Sequence, residues 1–190
     1  MGCDITPDAN GYVNIPSSWT SIGNYAFNGC TSLASVTIPD SVTSIGNYVF
    51  DGCTSLASVT IPDSITFFGS NAFSGCTSLA SVNMPSSLTS IRASTFYGCT
   101  SLASVTIPDS VISIGSAAFS GCSALDSVSM GDYVRIIGLD AFKNCGKLKH
   151  VFIPLSIINI NDWDVSAFPQ TRLAYETQAP STASTPAPST

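Results

Sequence analysis

Charge is what this 190-residue chain has least of: Asp, Glu, Lys and Arg make up 9% of it. An average domain carries about a quarter. Six basic residues face twelve acidic ones, for a net charge of −6. Six cations are too few for a nucleic-acid footprint, and four of them, Arg135, Lys143, Lys147 and Lys149, sit late in the chain. Histidine occurs once, at His150. One imidazole among strand residues supports neither a Ser-His-Asp nor a Cys-His arrangement. No apolar run approaches the roughly 18 residues that span a bilayer. No apolar secretory segment opens the chain either. The chain is therefore expected to be no enzyme, to need no cofactor or metal, to bind no nucleic acid and to contain no transmembrane segment.

What is present is repetition. Gly29–Ser41 reads Gly-Cys-Thr-Ser-Leu-Ala-Ser-Val-Thr-Ile-Pro-Asp-Ser, and it returns unchanged at Gly52–Ser64 and Gly98–Ser110. Weaker copies lie at Gly75–Ser87, at Gly121–Tyr133 and over 144–156, always at an offset of 23 residues. A fixed period in the range of about 20–50 residues marks a stacked repeat architecture. Each unit then contacts only its neighbours, so the length makes one domain.

The columns give the rung. Leu33, Leu56, Leu79, Leu102, Leu125 and Leu148 form one column, and Val36, Val59, Val82, Val105, Val128 and Val151 the next. Ile15, Ile38, Ile61, Met84, Ile107, Met130 and Ile153 form a third. Val and Ile two apart, alternating with Ser or Thr, is a short strand with its apolar side inward. Proline at 16, 39, 62, 85, 108 and 154 ends each strand, since it cannot donate to a ladder. A second apolar pair follows, such as Val42 and Ile45, whose spacing suits a bend or a 3₁₀-type turn. Gly23, Gly46, Gly69, Gly115 and Gly138 come next, where a positive φ is expected. Phe27, Phe50, Phe73, Phe96, Phe119 and Phe142 are expected as inward anchors on the far side.

The pattern Leu-x-x-Val-x-Ile-Pro-x-Ser-Val-x-Ser-Ile-Gly-x-x-Ala-Phe-x-Gly-Cys-x-Ser resembles the 23-residue leucine-rich repeat of the BspA-like (Treponema-type) family over about Tyr12 to Phe168. The resemblance implies a right-handed, strand-dominated solenoid of α/β type. It places a parallel sheet on the concave face and short 3₁₀ or irregular segments on the convex face. It also implies surface-exposed proteins engaged in adhesion or protein contact.

Cys30, Cys53, Cys76, Cys99, Cys122 and Cys145 form a column. A straight row does not supply the tetrahedral set that zinc needs, so it reads as a column of buried thiols. Cys3 lies off register. Asp40, Asp63, Asp109 and Asp132 suggest calcium, but an Asp or Ser after Pro is explained by hydrogen bonding within its own turn. Outward hydroxyl columns run through Ser35, Ser58, Ser81, Ser104 and Ser127, and through Asn14, Thr37, Thr60, Asn83, Thr106 and Ser129. They offer an ice-binding alternative, against which stand the concave curvature and hydroxyl hydrogen bonds between strands. Departures from this small-residue face are the best contact candidates: Tyr12 at its start, and Asp126, Lys149, His150 and Phe152 at its end.

The ends differ from the repeat. Residues 1–11 read as an N-terminal cap, 12–160 as the solenoid, 161–176 as a C-terminal cap that includes Trp163 and Phe168, and 177–190 as a Pro/Ser/Thr-rich tail or linker. The tail offers Thr177, Ser181, Thr182, Ser184, Thr185, Ser189 and Thr190 for O-glycosylation. Met1–Thr6 fits an acylation pattern, with Gly2 and Cys3 as acceptors.

The sequence thus points to a non-enzymatic interaction or adhesion module of a cell-surface or extracellular protein. Its partner would be a protein or glycan on a cell surface or matrix, or other copies of itself. The alternatives are a self-assembling scaffold, ice binding, and attachment to an intracellular membrane through N-terminal acylation.

Overall fold

In the computed structural model, residues 5–152 are described. Twelve short strands and no helix make up their regular structure. They form two stacks. The first holds β1 (Tyr12–Asn14), β3 (Ser35–Thr37), β5 (Ser58–Thr60), β8 (Ser104–Ile107), β10 (Ser127–Met130) and β12 (His150–Phe152). The second holds the two-residue strands β2 (Ser21–Ile22), β4 (Ser44–Ile45), β6 (Phe67–Phe68), β7 (Ser90–Ile91), β9 (Ser113–Ile114) and β11 (Ile136–Ile137). All pairing is parallel and in register with the repeat: Val13 faces Val36, Val36 faces Val59, and Ile22 faces Ile45. Identical spacing places identical side chains above one another, so each column becomes a ridge of the core.

The segments after the first strands begin with the expected single turn and then add ladders that the sequence did not announce. Each proline is followed by a single turn, as where the Val42 amide donates to the Pro39 carbonyl at 3.0 Å. The chain then straightens into the second ladder. A third ladder runs through the turns that carry the phenylalanines. The Phe27 amide donates to the Val49 carbonyl, Phe50 to Ala72, Phe73 to Thr95 and Phe96 to Ala118, at 2.8–2.9 Å. Inside it the six phenylalanine rings stack at 5.1–5.3 Å, fully buried. Stacked pairs add about 0.5–1.5 kcal/mol each beyond the area they bury.

Glycine does two separate jobs. The expected positive φ is absent from the column of Gly46, Gly69, Gly115 and Gly138. It falls instead on Gly29, Gly52, Gly75, Gly98 and Gly121, and on a column of other residues from Tyr25 to Asp140. The first column is required for space. A Cβ on Gly69 would meet the Gly46 carbonyl carbon at 2.3 Å, and one on Gly115 would meet the Ala93 nitrogen at 2.5 Å. Real contacts never come that close, so rungs carrying a side chain there cannot stack at this spacing.

Arg92 occupies that column. Between it and the preceding rung both strand ladders stop. The first sheet divides into β1-β3-β5 and β8-β10-β12, and the second into β2-β4-β6 and β7-β9-β11. Ser81–Asn83 joins neither neighbour as a strand, and Val59 and Val82 are only half-buried where the other valines of the column are buried. Phe68 fills the widened interval from the Ile column, meeting Phe73 and Phe96 edge-on at 5.7 and 6.3 Å. The turn ladder and the phenylalanine stack continue through this interval, so the solenoid opens on its strand sides and stays closed on its turn side.

Candidate interaction surface

The outward side of the first sheet brings most of the sequence candidates together. Tyr12, Asn14, Thr37, Thr60 and Thr106 are exposed on β1, β3, β5 and β8, with Asn14 paired to Thr37, Thr37 to Thr60, and Thr106 to Ser129. Asn83 is exposed but lies in the break, off the ladder.

Hydroxyl bonding between rungs does occur, but on other columns. Thr43 Oγ1 donates to the Thr20 carbonyl at 3.2 Å, Thr66 to Thr43, Thr77 to Thr54 and Thr100 to Thr77. Among the described residues, the hydroxyls of Thr37, Thr60 and Thr106 make no hydrogen bond within the protein. The expected self-satisfied hydroxyl ladder is therefore not what this face shows, and its donors and acceptors are available to a ligand.

Asp126 and Lys149 are brought together. Lys149 Nζ lies 3.3 Å from Asp126 Oδ1, and the Lys149 amide donates to the Asp126 carbonyl at 3.0 Å. Both side chains are at least half exposed, so the pair contributes at most about 1 kcal/mol. His150 and Phe152 belong to β12, whose backbone pairs with β10. Gly2, Cys3, the C-terminal cap over 161–176 and the tail with its acceptor sites at Thr177, Ser181, Thr182, Ser184, Thr185, Ser189 and Thr190 lie outside the described residues, as does Ile153.

Two members of the aspartate column, Asp63 and Asp109, accept hydrogen bonds from the next rung. Asp63 Oδ1 accepts from the Ser86 amide at 2.8 Å and from its hydroxyl at 3.0 Å, which holds the Asp63 carboxyl below its usual range. Asp109 Oδ1 likewise accepts from the Asp132 amide at 3.0 Å. Among the described residues no three His, Cys, Asp or Glu side chains gather in a metal-binding group.

The cysteine column is mostly thiol. Cys53, Cys76, Cys99, Cys122 and Cys145 are free and buried, and each donates to the carbonyl of the phenylalanine 26 residues earlier at 3.0–3.2 Å. Burial pushes the thiols of Cys53, Cys99 and Cys145 from 9.0 up to about 12, and those of Cys76 and Cys122 upward too. Cys30 departs from the expected thiol column, for it is disulfide-bonded.

Sequence reasoning missed one exposed group. Ile112, Tyr133, Ile136 and Leu139 are each about half exposed on the late rungs beside the second sheet. The signal was a break in polar columns: Ile112 follows Thr20, Thr43, Thr66 and Thr89, and Leu139 follows Asn24, Asn47, Ser70, Ala93 and Ser116. The Ile136 amide donates to the Ile112 carbonyl at 3.3 Å, so these two rungs adjoin.

The fold and this bland, periodic surface define a repeat solenoid of leucine-rich type. The family model for the BspA type leucine rich repeat region matches residues 9–111 and 89–182, in six copies. The chain belongs to that family. It is similar to the crystal structure of a T. pallidum leucine rich repeat protein, TpLRR, at 30% identity and a TM-score of 0.72, over 88% of this chain and 86% of that one. It is also similar to a leucine rich cell surface protein from Faecalibacterium prausnitzii, at 29% identity and a TM-score of 0.62. That match covers 74% of this chain and 47% of the other, so the chain spans about half the length of that relative. No curated protein matches the chain. Among the described residues no helix is long and apolar enough to cross a membrane.

Proposed function

We propose that this chain is a non-enzymatic interaction module that binds a protein or glycan on a cell surface or matrix through the outward side of its first sheet. One observation carries the reading: Thr37, Thr60 and Thr106 stand in strand columns with hydroxyls that bond nothing in the protein. A wide face of weakly charged, solvent-facing donors and acceptors favours polar, water-bridged contact over an apolar dock. Family membership supports an interaction role, and the F. prausnitzii relative, described as a cell surface protein, supports an extracellular or surface location.

The test is binding of the fluorescently labelled chain to cultured epithelial cells. Arginine at both positions, Thr37→Arg with Thr60→Arg, projects bulk and charge from the face without entering the core. Loss of most binding at an unchanged melting temperature supports the reading. Unchanged binding by the double variant, or no binding by the parent chain, overturns it.

The exposed Ile112, Ile136 and Leu139 favour a second reading, self-association into a scaffold. Sedimentation that shifts with protein concentration supports it, and a strictly monomeric chain removes it. Ice binding draws on the same free hydroxyls, but the break at Ser81–Asn83 interrupts the regular array that it needs. Thermal hysteresis in solution is its test.

A further inference from the structure

We infer that Tyr25 and Tyr48, with the Asn28–Asp51 pair of the same turns, form a second binding site, whose ligand is a neutral oligosaccharide of β-linked, gluco-configured sugars. The site lies on the turn side of the solenoid, away from the first sheet, and does not rest on binding there.

Tyr25 and Tyr48 have φ of 64° and 56°. The fold requires this left-handed conformation of the whole column, for Asn71, Ser94, Ala117 and Asp140 share it. It does not require tyrosine. Asn and Asp adopt the conformation most readily among residues with a side chain, and a bulky ring is a poor choice. Burial does not explain the rings either, since Tyr25 is 48% exposed and Tyr48 is half-buried. Among the described residues neither hydroxyl is hydrogen-bonded. Stacking of the two rings offsets only part of the backbone strain. Two adjacent members of the column thus hold strained, accessible rings that the core does not use, and strain kept at a surface points to a ligand.

The rings are parallel within 3°, with centroids 5.0 Å apart. Stacked carbon atoms touch at about 3.5–4.0 Å, so the wider separation displaces one ring sideways over the other. They overlap like shingles, and part of each face stays uncovered. The turn ladder fixes both residues. The Tyr25 amide donates to the Asn47 carbonyl and the Tyr48 amide to the Ser70 carbonyl, each at 3.0 Å. A platform ordered in advance loses little freedom when a ligand binds.

The polar partner stands three residues along. The Asn28 amide donates to the Tyr25 carbonyl at 3.0 Å, and the Asp51 amide to the Tyr48 carbonyl at 3.4 Å. Across the rungs, Asn28 Nδ2 donates to Asp51 Oδ2 at 3.0 Å. That bond leaves one N–H and the carbonyl oxygen of the Asn28 amide, and Oδ1 of Asp51, for a ligand. A donor beside acceptors matches the adjacent hydroxyls of a sugar, each of which both donates and accepts. An apolar partner would leave these groups unpaired. The C–H bonds of a sugar carry partial positive charge and suit the negative face of an aromatic ring. In β-linked gluco-configured sugars the hydroxyls are equatorial and the C–H bonds axial, so both faces of the sugar ring are flat and apolar. The Asp51 carboxylate and a net charge of −6 disfavour anionic sugars.

The experiment is calorimetric titration of the full chain with cellohexaose and, separately, with the hexamer of N-acetylglucosamine. Binding of at least one is expected. Tyr25→Asn with Tyr48→Asn removes both rings and supplies residues suited to the backbone, so the melting temperature should not fall. That double variant should bind at least about tenfold more weakly. Thr37→Arg with Thr60→Arg, on the first sheet, should leave the titration unchanged, which separates failure of this site from failure of that one. No binding of either sugar, or binding that the tyrosine double variant retains, overturns the inference. So does cell binding that needs the two tyrosines while neither sugar binds, which would assign the platform to a protein.

Discussion

The guanidinium carbon of Arg92 lies 4.5 Å from the ring centroid of Phe67, across the interval where both strand ladders stop. Among the described residues the two stand in columns otherwise held by glycine and by serine or, once, isoleucine. Arg92 brings a Cβ where the stacking leaves no room for one, and the exposed cation then rests on the ring that the opened rung presents. The contact contributes about 0.5–1 kcal/mol at such an exposed site. It compensates in part for the ladder bonds given up. Arg92→Gly with Phe68→Ile should close the interval, slowing amide hydrogen exchange at residues 81–83 by at least about tenfold. Exchange there that stays as fast as in the parent chain would place the cause of the break elsewhere.

Phe68 itself is fully buried and meets two other rings. Phe68→Ala, with Arg92 retained, removes the ring that fills the widened interval. Urea unfolding should show a loss of about 3–5 kcal/mol, the cost of an unrelaxed cavity. A loss below about 1 kcal/mol would mean that the rungs collapse onto one another without it.

The glycine column makes a paired prediction. Gly69→Ala sets a methyl group 2.3 Å from the Gly46 carbonyl carbon, whereas Gly23→Ala meets nothing within 4 Å. The first should cost about 1–3 kcal/mol by overpacking, and the second should be near neutral. Equal effects in thermal melts would show that rung spacing does not depend on this column.

The buried thiols set the alkaline limit. Above about pH 9 the unfolded chain loses thiol protons that the native chain retains up to about pH 12. The unfolded state then binds fewer protons, so stability falls as pH rises, by up to about 1.4 kcal/mol per pH unit for each such thiol. Below pH 9 the contribution is complete and the melting temperature should not respond to these groups. A melting temperature flat from pH 8 to 11 would contradict the burial of the column.

Much of this was legible in the sequence because one chain period builds one rung. The Leu, Val, Ile and Phe columns, the parallel register and the free buried Cys53–Cys145 all follow from an offset of 23 residues. What was not legible depends on how rungs meet. Asp63 reads as a residue satisfied within its own turn, and its partner is Ser86, a whole rung away. Gly69 reads as a backbone bend, and its reason is the Gly46 carbonyl beneath it. Phe68 and Arg92 are visible as substitutions, but only the rung spacing turns them into a break. Cys30 looks like its column mates in sequence, yet it is disulfide-bonded where Cys53 to Cys145 are thiols. On the surface, Thr37 and Thr43 look alike in sequence. One is unbonded and the other donates to Thr20, because Thr37 lies on the outward side of β3 whereas Thr43 lies in the segment just before β4.

The most direct measurement is site-specific photo-crosslinking on epithelial cells. A benzophenone amino acid replaces Thr60 on the first sheet in one protein, and Ser55 on an exposed turn in another. The account predicts a cross-linked cell-surface product from position 60 and none from position 55. A product from position 55 alone, or from neither while the labelled chain still binds, would contradict recognition through the first sheet.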